Sequence, residues 1–220
     1  MDNSRSCKLI FFSSLTASMI LRFTFCLLIS ILSSQAFCLG KTVVIYGDSI
    51  SAAYGVDPSK GWVNLLKKHL ANHTEEISII NASVSGETSK GGLSRISNVL
   101  KNHQPDLLIL ELGGNDGLRG YPISVILSNL DAIISDCSEN ETEVMLIGMV
   151  IPPNYGERYT KAFTDIFLQL ASKHQLPFVP VNLDDTLANK NLLQNDGIHP
   201  NEKGHRVIFE RVFSVLEHIL

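Results

Sequence analysis

Three side chains in this sequence, those of Ser49, Asp196 and His199, have the types needed to turn a hydroxyl group into a nucleophile. A serine hydroxyl is a weak nucleophile, so it needs a base within hydrogen-bond reach and a third group that orients the base. Because Asp196 precedes His199 by three residues, a turn can bring its carboxylate onto the imidazole ring and fix the tautomer. The spacing predicts that Asp196 and His199 form an acid–base pair that activates Ser49.

Two glycine-rich turns between these residues contain N–H donors that suit a developing oxyanion. Gly86 offers a backbone N–H with no side chain in the way, and Asn115 offers a side-chain amide. The backbone N–H of Ser49 itself is a third donor. Loss of one such donor raises the barrier of an acyl transfer by about 3 kcal/mol. We therefore predict an oxyanion hole built from Ser49, Gly86 and Asn115.

Each of these segments also has a structural explanation. Residues 47–49 are a common turn sequence, residues 113–116 could cradle a phosphate or form a tight turn, and Asp196 could cap a helix. A metal site at His199 and His205 lacks a third ligand at a suitable spacing, so we expect no metal ion there. Four such loops in this order nevertheless favour catalysis over four unrelated turns.

The elements that must position these loops alternate regularly along the chain. Strands are predicted at residues 43–46, 77–80, 106–112, 144–151 and 178–181, and helices at residues 62–70, 93–100, 122–134, 158–174 and 202–220. Such alternation predicts an α/β fold with a parallel sheet and helices on both faces. The polar loops follow the carboxyl ends of the strands, so they gather along one edge of the sheet, where ligands bind.

Composition limits the kind of protein this is. The 220 residues suit one α/β domain, and a hydrophobic fraction of 45% can supply its core. The formal net charge of -4 gives no sign of a nucleic-acid partner. We expect a small-molecule ligand, and a monomer is the default expectation.

The first forty residues differ from the rest and have the features of an export signal. An apolar run at residues 23–32 follows Arg22 and is too short to span a membrane. Ser34 and Ala36 then place small side chains where a signal peptidase reads. We predict a signal peptide over residues 1–36, with cleavage as late as 40, and a periplasmic or secreted domain over 41–220 without a stable membrane span. A retained anchor is the alternative.

Export would permit a disulfide bond between the two cysteines that remain after cleavage. These are Cys38 and Cys137, and Cys38 lies very near the predicted cleavage site. Two cysteines do not make a disulfide framework, so we expect two free thiols.

The four loops together resemble the blocks of the SGNH (GDSL) hydrolase family. The matching segments are residues 47–49, Gly86, residues 113–116 and residues 196–200. The similarity covers residues 41–220 and is greatest to the bacterial periplasmic group of multifunctional thioesterases (acyl-CoA thioesterase I), lysophospholipases and arylesterases. The segments that carry this closer similarity are residues 81–88, 111–120 and 153–156. One departure is Glu87, where the group usually has aspartate.

The resemblance implies a three-layer α/β/α sandwich with five parallel strands and a catalytic triad of Ser49, Asp196 and His199. It implies a serine esterase that hydrolyses carboxylic esters and thioesters of fatty acyl chains through an acyl-enzyme, with lysophospholipid as one candidate substrate. It also implies the oxyanion donors predicted above, and no cofactor.

An acyl chain would need an apolar groove at the active edge of the sheet. We predict that five loop residues form its walls: Leu118, Tyr121, Ile151, Pro152 and Tyr155. Three other functions remain open at this stage. A carbohydrate O-acetylesterase would use the same groups, a periplasmic binding protein would not need them, and a flavodoxin-like nucleotide binder would need a glycine-rich loop after the first strand, which is missing.

Overall fold

The computed structural model describes residues 40–71, 77–180 and 190–220. The predicted signal peptide and Cys38 lie outside these residues. Five strands form one parallel sheet in the order β2-β1-β3-β4-β5. Their bounds are β1 Lys41–Gly47, β2 Ile77–Asn81, β3 Leu107–Glu111, β4 Glu143–Ile147 and β5 Phe178–Val179.

Six α-helices connect or follow these strands within the described residues. They are α1 Trp62–Ala71, α2 Ser89–His103, α3 Gly114–Leu118, α4 Ile123–Glu139, α5 Glu157–His174 and α6 Glu202–Leu216. Short 3₁₀ turns lie at Pro58–Lys60, Pro153–Tyr155 and Lys190–Leu192. Among the described helices, none is both long and apolar enough to cross a bilayer.

Two apolar layers hold the helices against opposite faces of the sheet. On one face α2, α4 and α5 pack through side chains such as Ile96, Ile126 and Phe163. On the other face α1 and α6 pack through Trp62 and Val212, among others. The sheet is covered on both faces, which explains why its central strands are continuous apolar runs. The predicted five-stranded parallel sheet with helices on both faces is confirmed.

The central strands β1 and β3 lie next to each other in register. Ile45 is paired with Ile109, and Gly47 at the end of β1 is paired with Glu111 at the end of β3. All five residues of β3 are buried, and Glu111 is the one charged side chain among them. This pairing places the loops that follow β1 and β3 side by side.

Several predicted boundaries differ from the structure, three of them near the site or at the end of the chain. β4 ends at Ile147 rather than at 151, because its neighbour β5 has two residues and offers little backbone for further pairing. The last helix ends at Leu216. Residues 114–118, predicted as loop, form the short helix α3, whose start follows Gly113 with a φ of 114°.

The described part of the chain contains one cysteine. Cys137 on α4 is buried and carries a free thiol, and burial raises its pKa to about 12. The expectation of two free thiols stays a prediction, because Cys38 falls outside the described residues.

Candidate active site

Ser49 lies on the turn that follows β1, with its side chain almost completely buried. The carbonyl groups of Asp48 and Ser49 accept hydrogen bonds from Ala52 N and Tyr54 N, which shape the turn. At Gly47 a Cβ atom would lie 2.5 Å from Glu111 Oε2, so a larger residue would push this turn away from β3. The glycine lets the Ser49 turn sit tightly on the end of the sheet.

The three predicted triad residues form one hydrogen-bonded chain. His199 Nε2 lies 2.9 Å from Ser49 Oγ, and His199 Nδ1 lies 2.6 Å from Asp196 Oδ2. With the proton on Nδ1, the imidazole donates to Asp196 and accepts from the Ser49 hydroxyl. This tautomer is the one that a general base for Ser49 requires.

The turn that carries Asp196 and His199 is held by its own hydrogen bonds. Asp196 Oδ1 accepts from the backbone N–H groups of Ile198 at 2.9 Å and His199 at 3.0 Å. Gly197 between them has a φ of 69°, a conformation that glycine adopts without strain. Partial burial opposes ionisation of Asp196, but the hydrogen bonds from His199 and from this backbone lower its pKa below the usual value. The carboxylate is thus kept charged beside the imidazole.

Gln194 connects this turn to the Ser49 turn. Its amide Nε2 donates to Pro200 O at 2.9 Å and to Tyr54 O at 2.7 Å. The Tyr54 ring also lies against the His199 ring, with 4.8 Å between the centroids. Sequence reasoning missed Gln194, because its contact with the Ser49 turn depends on the fold: Gly55, with a φ of 75°, leaves the space that the Gln194 side chain occupies.

Asn115 lies in the first turn of α3 and faces the nucleophile turn. Its Nδ2 donates to Asp48 Oδ2 at 3.0 Å, which fixes the orientation of the amide and leaves its second N–H for another acceptor. Gly86 has a φ of 81°, with open space where a Cβ would be, and its carbonyl accepts from Arg119. The roles of Gly86 and Asn115 in an oxyanion hole stay predictions.

Two buried carboxyl groups, those of Asp48 and Glu111, lie directly beside the Ser49 turn. Burial raises the pKa of Asp48 to about 6, and burial together with the Asp48 charge raises the pKa of Glu111 well above its usual value. Ser51 Oγ donates to Glu111 Oε2 at 2.6 Å, and Asp48 N donates to the same oxygen at 3.3 Å. Sequence reasoning gave neither residue a role, although an acid at the end of the apolar strand β3 was a visible signal.

An apolar cavity of about 140 Å³ opens beside Ser49 and His199. Its apolar lining comes from the ends of the strands, from the loops and from α6: Ile50, Leu118, Ile147, Met149, Val150, Ile151, Pro152, Leu193, Ile198 and Ile208. Three of the five predicted wall residues, Leu118, Ile151 and Pro152, are in this lining.

The other two predicted wall residues lie elsewhere. Tyr121 and Tyr155 are not among the residues that line the cavity, and both are exposed. The Tyr155 hydroxyl donates to Leu118 O at 2.7 Å, at the end of α3. The Tyr121 carbonyl accepts from the Tyr159 hydroxyl, also on the outer surface. Neither tyrosine lines this cavity, and a contact of either with an acyl chain stays a prediction.

His205 does not take part in a metal site within the described residues. It is buried on α6, where its Nδ1 accepts from Trp62 N at 3.4 Å. No group of three or more His, Cys, Asp or Glu side chains in the described ranges has the geometry to hold a metal ion.

Comparison with known proteins agrees with the fold. Residues 45–207 match the model of the GDSL-like lipase/acylhydrolase family. This chain belongs to that family. The match contains Ser49, Asp196 and His199, so the hydrogen-bonded chain described above lies entirely within the family domain, and the protein is a serine hydrolase of the GDSL type.

Relatives within the GDSL family cover most of this chain. Esterase TesA of Pseudomonas aeruginosa is 39% identical over 195 residues, 89% of this chain and 96% of TesA. An arylesterase of Vibrio mimicus is 38% identical over 182 residues, 80% of this chain and 91% of the relative. Thioesterase 1/protease 1/lysophospholipase L1 of Escherichia coli is 40% identical over 160 residues, 73% of this chain and 76% of the relative.

Solved structures of GDSL-type esterases share the fold. The crystal structure of TesA has a TM-score of 0.78 and 39% identity, covering 82% of this chain and 100% of that one. The psychrotrophic esterase EstA from Pseudoalteromonas sp., inhibited by monoethylphosphonate, has a TM-score of 0.76 and 37% identity, covering 81% of this chain and 97% of that one.

Proposed function

We propose that this protein is an exported serine esterase that hydrolyses carboxylic esters and thioesters of fatty acyl chains. The observation that carries the proposal is the hydrogen-bonded chain from Ser49 through His199 to Asp196 at the mouth of an apolar cavity. The names of the relatives, which include esterase, arylesterase and thioesterase, support the same class of substrate.

The first half of the reaction forms an acyl-enzyme. Ser49 Oγ attacks the acyl carbon while His199 Nε2 accepts the hydroxyl proton, and the Asp196 carboxylate stabilises the imidazolium that results. The tetrahedral intermediate then collapses, the bond to the alcohol or thiol breaks, and His199 returns the proton to that leaving group. The acyl group remains bound to Ser49 as an ester.

The second half of the reaction uses water in place of Ser49. His199 accepts a proton from a water molecule as its oxygen attacks the acyl carbon, and the second tetrahedral intermediate releases the carboxylic acid. The proton on His199 returns to Ser49 Oγ, which restores the starting state. In both halves the backbone N–H groups of Ser49 and Gly86 and the amide of Asn115 would donate to the oxyanion.

The cavity supports an acyl group of short or medium length. Its volume of about 140 Å³ is below the range of roughly 300–1,000 Å³ that encloses drug-sized ligands. Leu118, Ile151 and Pro152 would contact the first carbons of the chain, and a longer chain would extend beyond the cavity. A lysophospholipid would fit this arrangement if its headgroup remains outside, and the E. coli relative is named in part as a lysophospholipase.

Export is proposed from the first forty residues of the sequence. It depends on the apolar run at residues 23–32 and on the small residues before position 37. Expression of the full chain in a Gram-negative host, followed by fractionation and N-terminal sequencing, tests it. A new N-terminus between residues 37 and 41 in the periplasm or medium supports export, and an uncleaved chain in the membrane fraction supports the retained anchor.

The enzymatic proposal is tested by labelling with a fluorophosphonate, which reacts with an activated serine. The wild type is expected to be labelled at Ser49, and Ser49→Ala is expected to remain unlabelled and to lose esterase activity. If the wild type is labelled no faster than Ser49→Ala, the site is not catalytic and the binding-protein alternative gains support.

A second comparison separates lipid esters from acetylated carbohydrates. Rates on p-nitrophenyl acetate and p-nitrophenyl octanoate should favour the octanoyl ester, because its chain can displace water from the apolar cavity. A strong preference for acetate would instead support the carbohydrate O-acetylesterase. Sedimentation of the purified domain tests the expected monomer.

A further inference from the structure

Glu111 is a charged residue at the centre of the sheet, at the end of an otherwise apolar strand. It is 2% exposed, and the other four residues of β3 are apolar and buried. Removing a carboxyl group from water is costly unless hydrogen bonds compensate it. A methionine or leucine would fill this position without that cost, so the carboxyl group needs another explanation.

The contacts of Glu111 lie on the turn that carries Ser49. Its Oε2 accepts from Asp48 N at 3.3 Å and from Ser51 Oγ at 2.6 Å. These two donors belong to the residue before Ser49 and to the second residue after it. Gly47, directly across from Glu111 in the sheet, leaves the space that the carboxyl group needs to reach both.

The second carboxyl oxygen of Glu111 has a different environment. Oε1 is buried and has no hydrogen-bond partner among the described residues, and Glu111 contributes to the wall of the apolar cavity. An oxygen without a partner makes the group more expensive to bury. The two bonds to the Ser49 turn are therefore the contacts that justify a carboxyl group here.

We propose that Glu111 is a positioning residue for the nucleophile, an inference that depends on the proposed role of Ser49. By holding the turn on both sides of Ser49, the carboxyl group of Glu111 fixes the distance between Ser49 Oγ and His199 Nε2. It does not contact the substrate's reacting atoms. Displacements of about 1 Å at such a site lower rates by on the order of a hundredfold.

The state of Glu111 also defines which replacement should preserve its role. Burial and the neighbouring Asp48 charge raise the pKa of Glu111, a shift that favours its neutral acid form. Glutamine is neutral, has the same length and keeps an oxygen that accepts from Asp48 N and Ser51 Oγ. Methionine has a similar volume but no such acceptor.

The test compares Glu111→Gln and Glu111→Met with the wild type on an ester substrate and in fluorophosphonate labelling. Glu111→Met is expected to lower kcat and the labelling rate by ten- to a hundredfold, with KM changed less than threefold. Glu111→Gln is expected to retain kcat within about threefold of the wild type. Equal kcat in wild type and Glu111→Met, or equal losses in both variants, would overturn the proposal.

Two further variants keep the test decisive if Glu111→Met fails to fold. Ser51→Ala removes one donor from the far side of the turn and is expected to lower kcat about fivefold at constant KM; an unchanged kcat would contradict the proposal. Thr142→Val is the stability control. It removes a buried hydroxyl that donates to Pro105 O just before the amino ends of β3 and β4, at the end of the sheet away from Ser49. It is expected to lower the melting temperature and leave labelling unchanged.

The same assay distinguishes the two proposals. If the wild type is not labelled at Ser49, the esterase proposal fails and the role of Glu111 fails with it. If the wild type is labelled and Glu111→Met is labelled at the same rate, only the role of Glu111 is wrong.

Discussion

His199 Nε2 lies 2.9 Å from Ser49 Oγ, although 150 positions separate the two residues in the chain. Ser49 follows the central strand β1, whereas His199 lies on the turn before α6, the last helix. The Gln194 amide joins the two turns by donating to Tyr54 O and Pro200 O. The proposed catalytic contact therefore depends on how α6 packs against the sheet and on the bonds between the two turns.

Asp196→Asn should lower kcat by on the order of 10³–10⁴, because an amide cannot stabilise the imidazolium and can favour the wrong tautomer of His199. KM should change little, since Asp196 does not line the cavity. Steady-state kinetics on p-nitrophenyl octanoate measure both. Glu202→Gln is the control: it removes an exposed carboxylate that pairs with Lys60 and should leave kcat unchanged. An Asp196→Asn enzyme with wild-type kcat would remove Asp196 from the triad.

Asn115→Ala should lower kcat by about 10²–10³, the usual effect of removing one oxyanion donor, with a smaller change in KM. The variant also removes the donor to Asp48 Oδ2, so its stability must be measured by thermal unfolding alongside kinetics. Asn64→Ala provides the matched control, because it removes a side-chain amide that donates to Pro58 O away from the site. A loss of stability with unchanged kcat would show that Asn115 is structural.

Gln194→Ala should lower kcat about tenfold, because it breaks the hydrogen bond to Tyr54 O that joins the His199 turn to the Ser49 turn and the bond to Pro200 O that holds the His199 turn itself. Gln194→Glu should have a similar effect, since a carboxylate of the same shape cannot donate to the two carbonyl oxygens. Rates of fluorophosphonate labelling report the change without interference from substrate binding. Wild-type labelling in both variants would mean that the packing of α6 alone positions His199.

His205 should make the stability of this protein depend on pH between about 4 and 6.5. Burial, with a smaller contribution from His199, lowers the pKa of His205 to about 4. Below pH 6.5 the unfolded chain binds a proton that the folded protein does not, so folding becomes less favourable as pH falls towards 4. The full effect is about 3 kcal/mol, at 1.36 kcal/mol for each pKa unit.

The measurement compares His205→Gln with the wild type by urea unfolding at several pH values. The stability of the variant relative to the wild type should rise as pH falls from 6.5 to 4. Asp48 has the opposite sign, because its pKa is raised to about 6 and its ionisation above pH 4 disfavours folding. Taking the difference between two chains that both contain Asp48 cancels its contribution. A difference that does not vary with pH would mean that His205 titrates normally in the fold.

Ile208→Phe should shift acyl preference towards short chains, because Ile208 on α6 contributes to the cavity wall and a larger ring would fill part of the space. We expect the ratio of kcat/KM for octanoyl over acetyl p-nitrophenyl esters to fall at least tenfold. Leu168→Phe is the control: it makes a similar change on the exposed side of α5. An unchanged ratio in Ile208→Phe would place the acyl chain outside this cavity.

The sequence by itself determined the order of strands and helices and the residues of the proposed triad. Each central strand reads as a continuous apolar run because both of its faces are buried, and this pattern is local to the strand. The contact between Asp196 and His199 is local too, since it spans three residues and needs a turn that Gly197 permits. Local patterns of this kind can be read without knowing the rest of the fold.

Only the tertiary structure decided which side chains form the cavity and what surrounds the nucleophile. Leu118 and Tyr155 are both predicted as wall residues at the active edge, yet Leu118 lines the cavity and Tyr155 is not in its lining. Glu111 reaches Ser51 because β1 and β3 are neighbours in this register. Periodicity indicates which face of its own element a residue occupies, but contacts between elements distant in sequence depend on strand order, register and packing together.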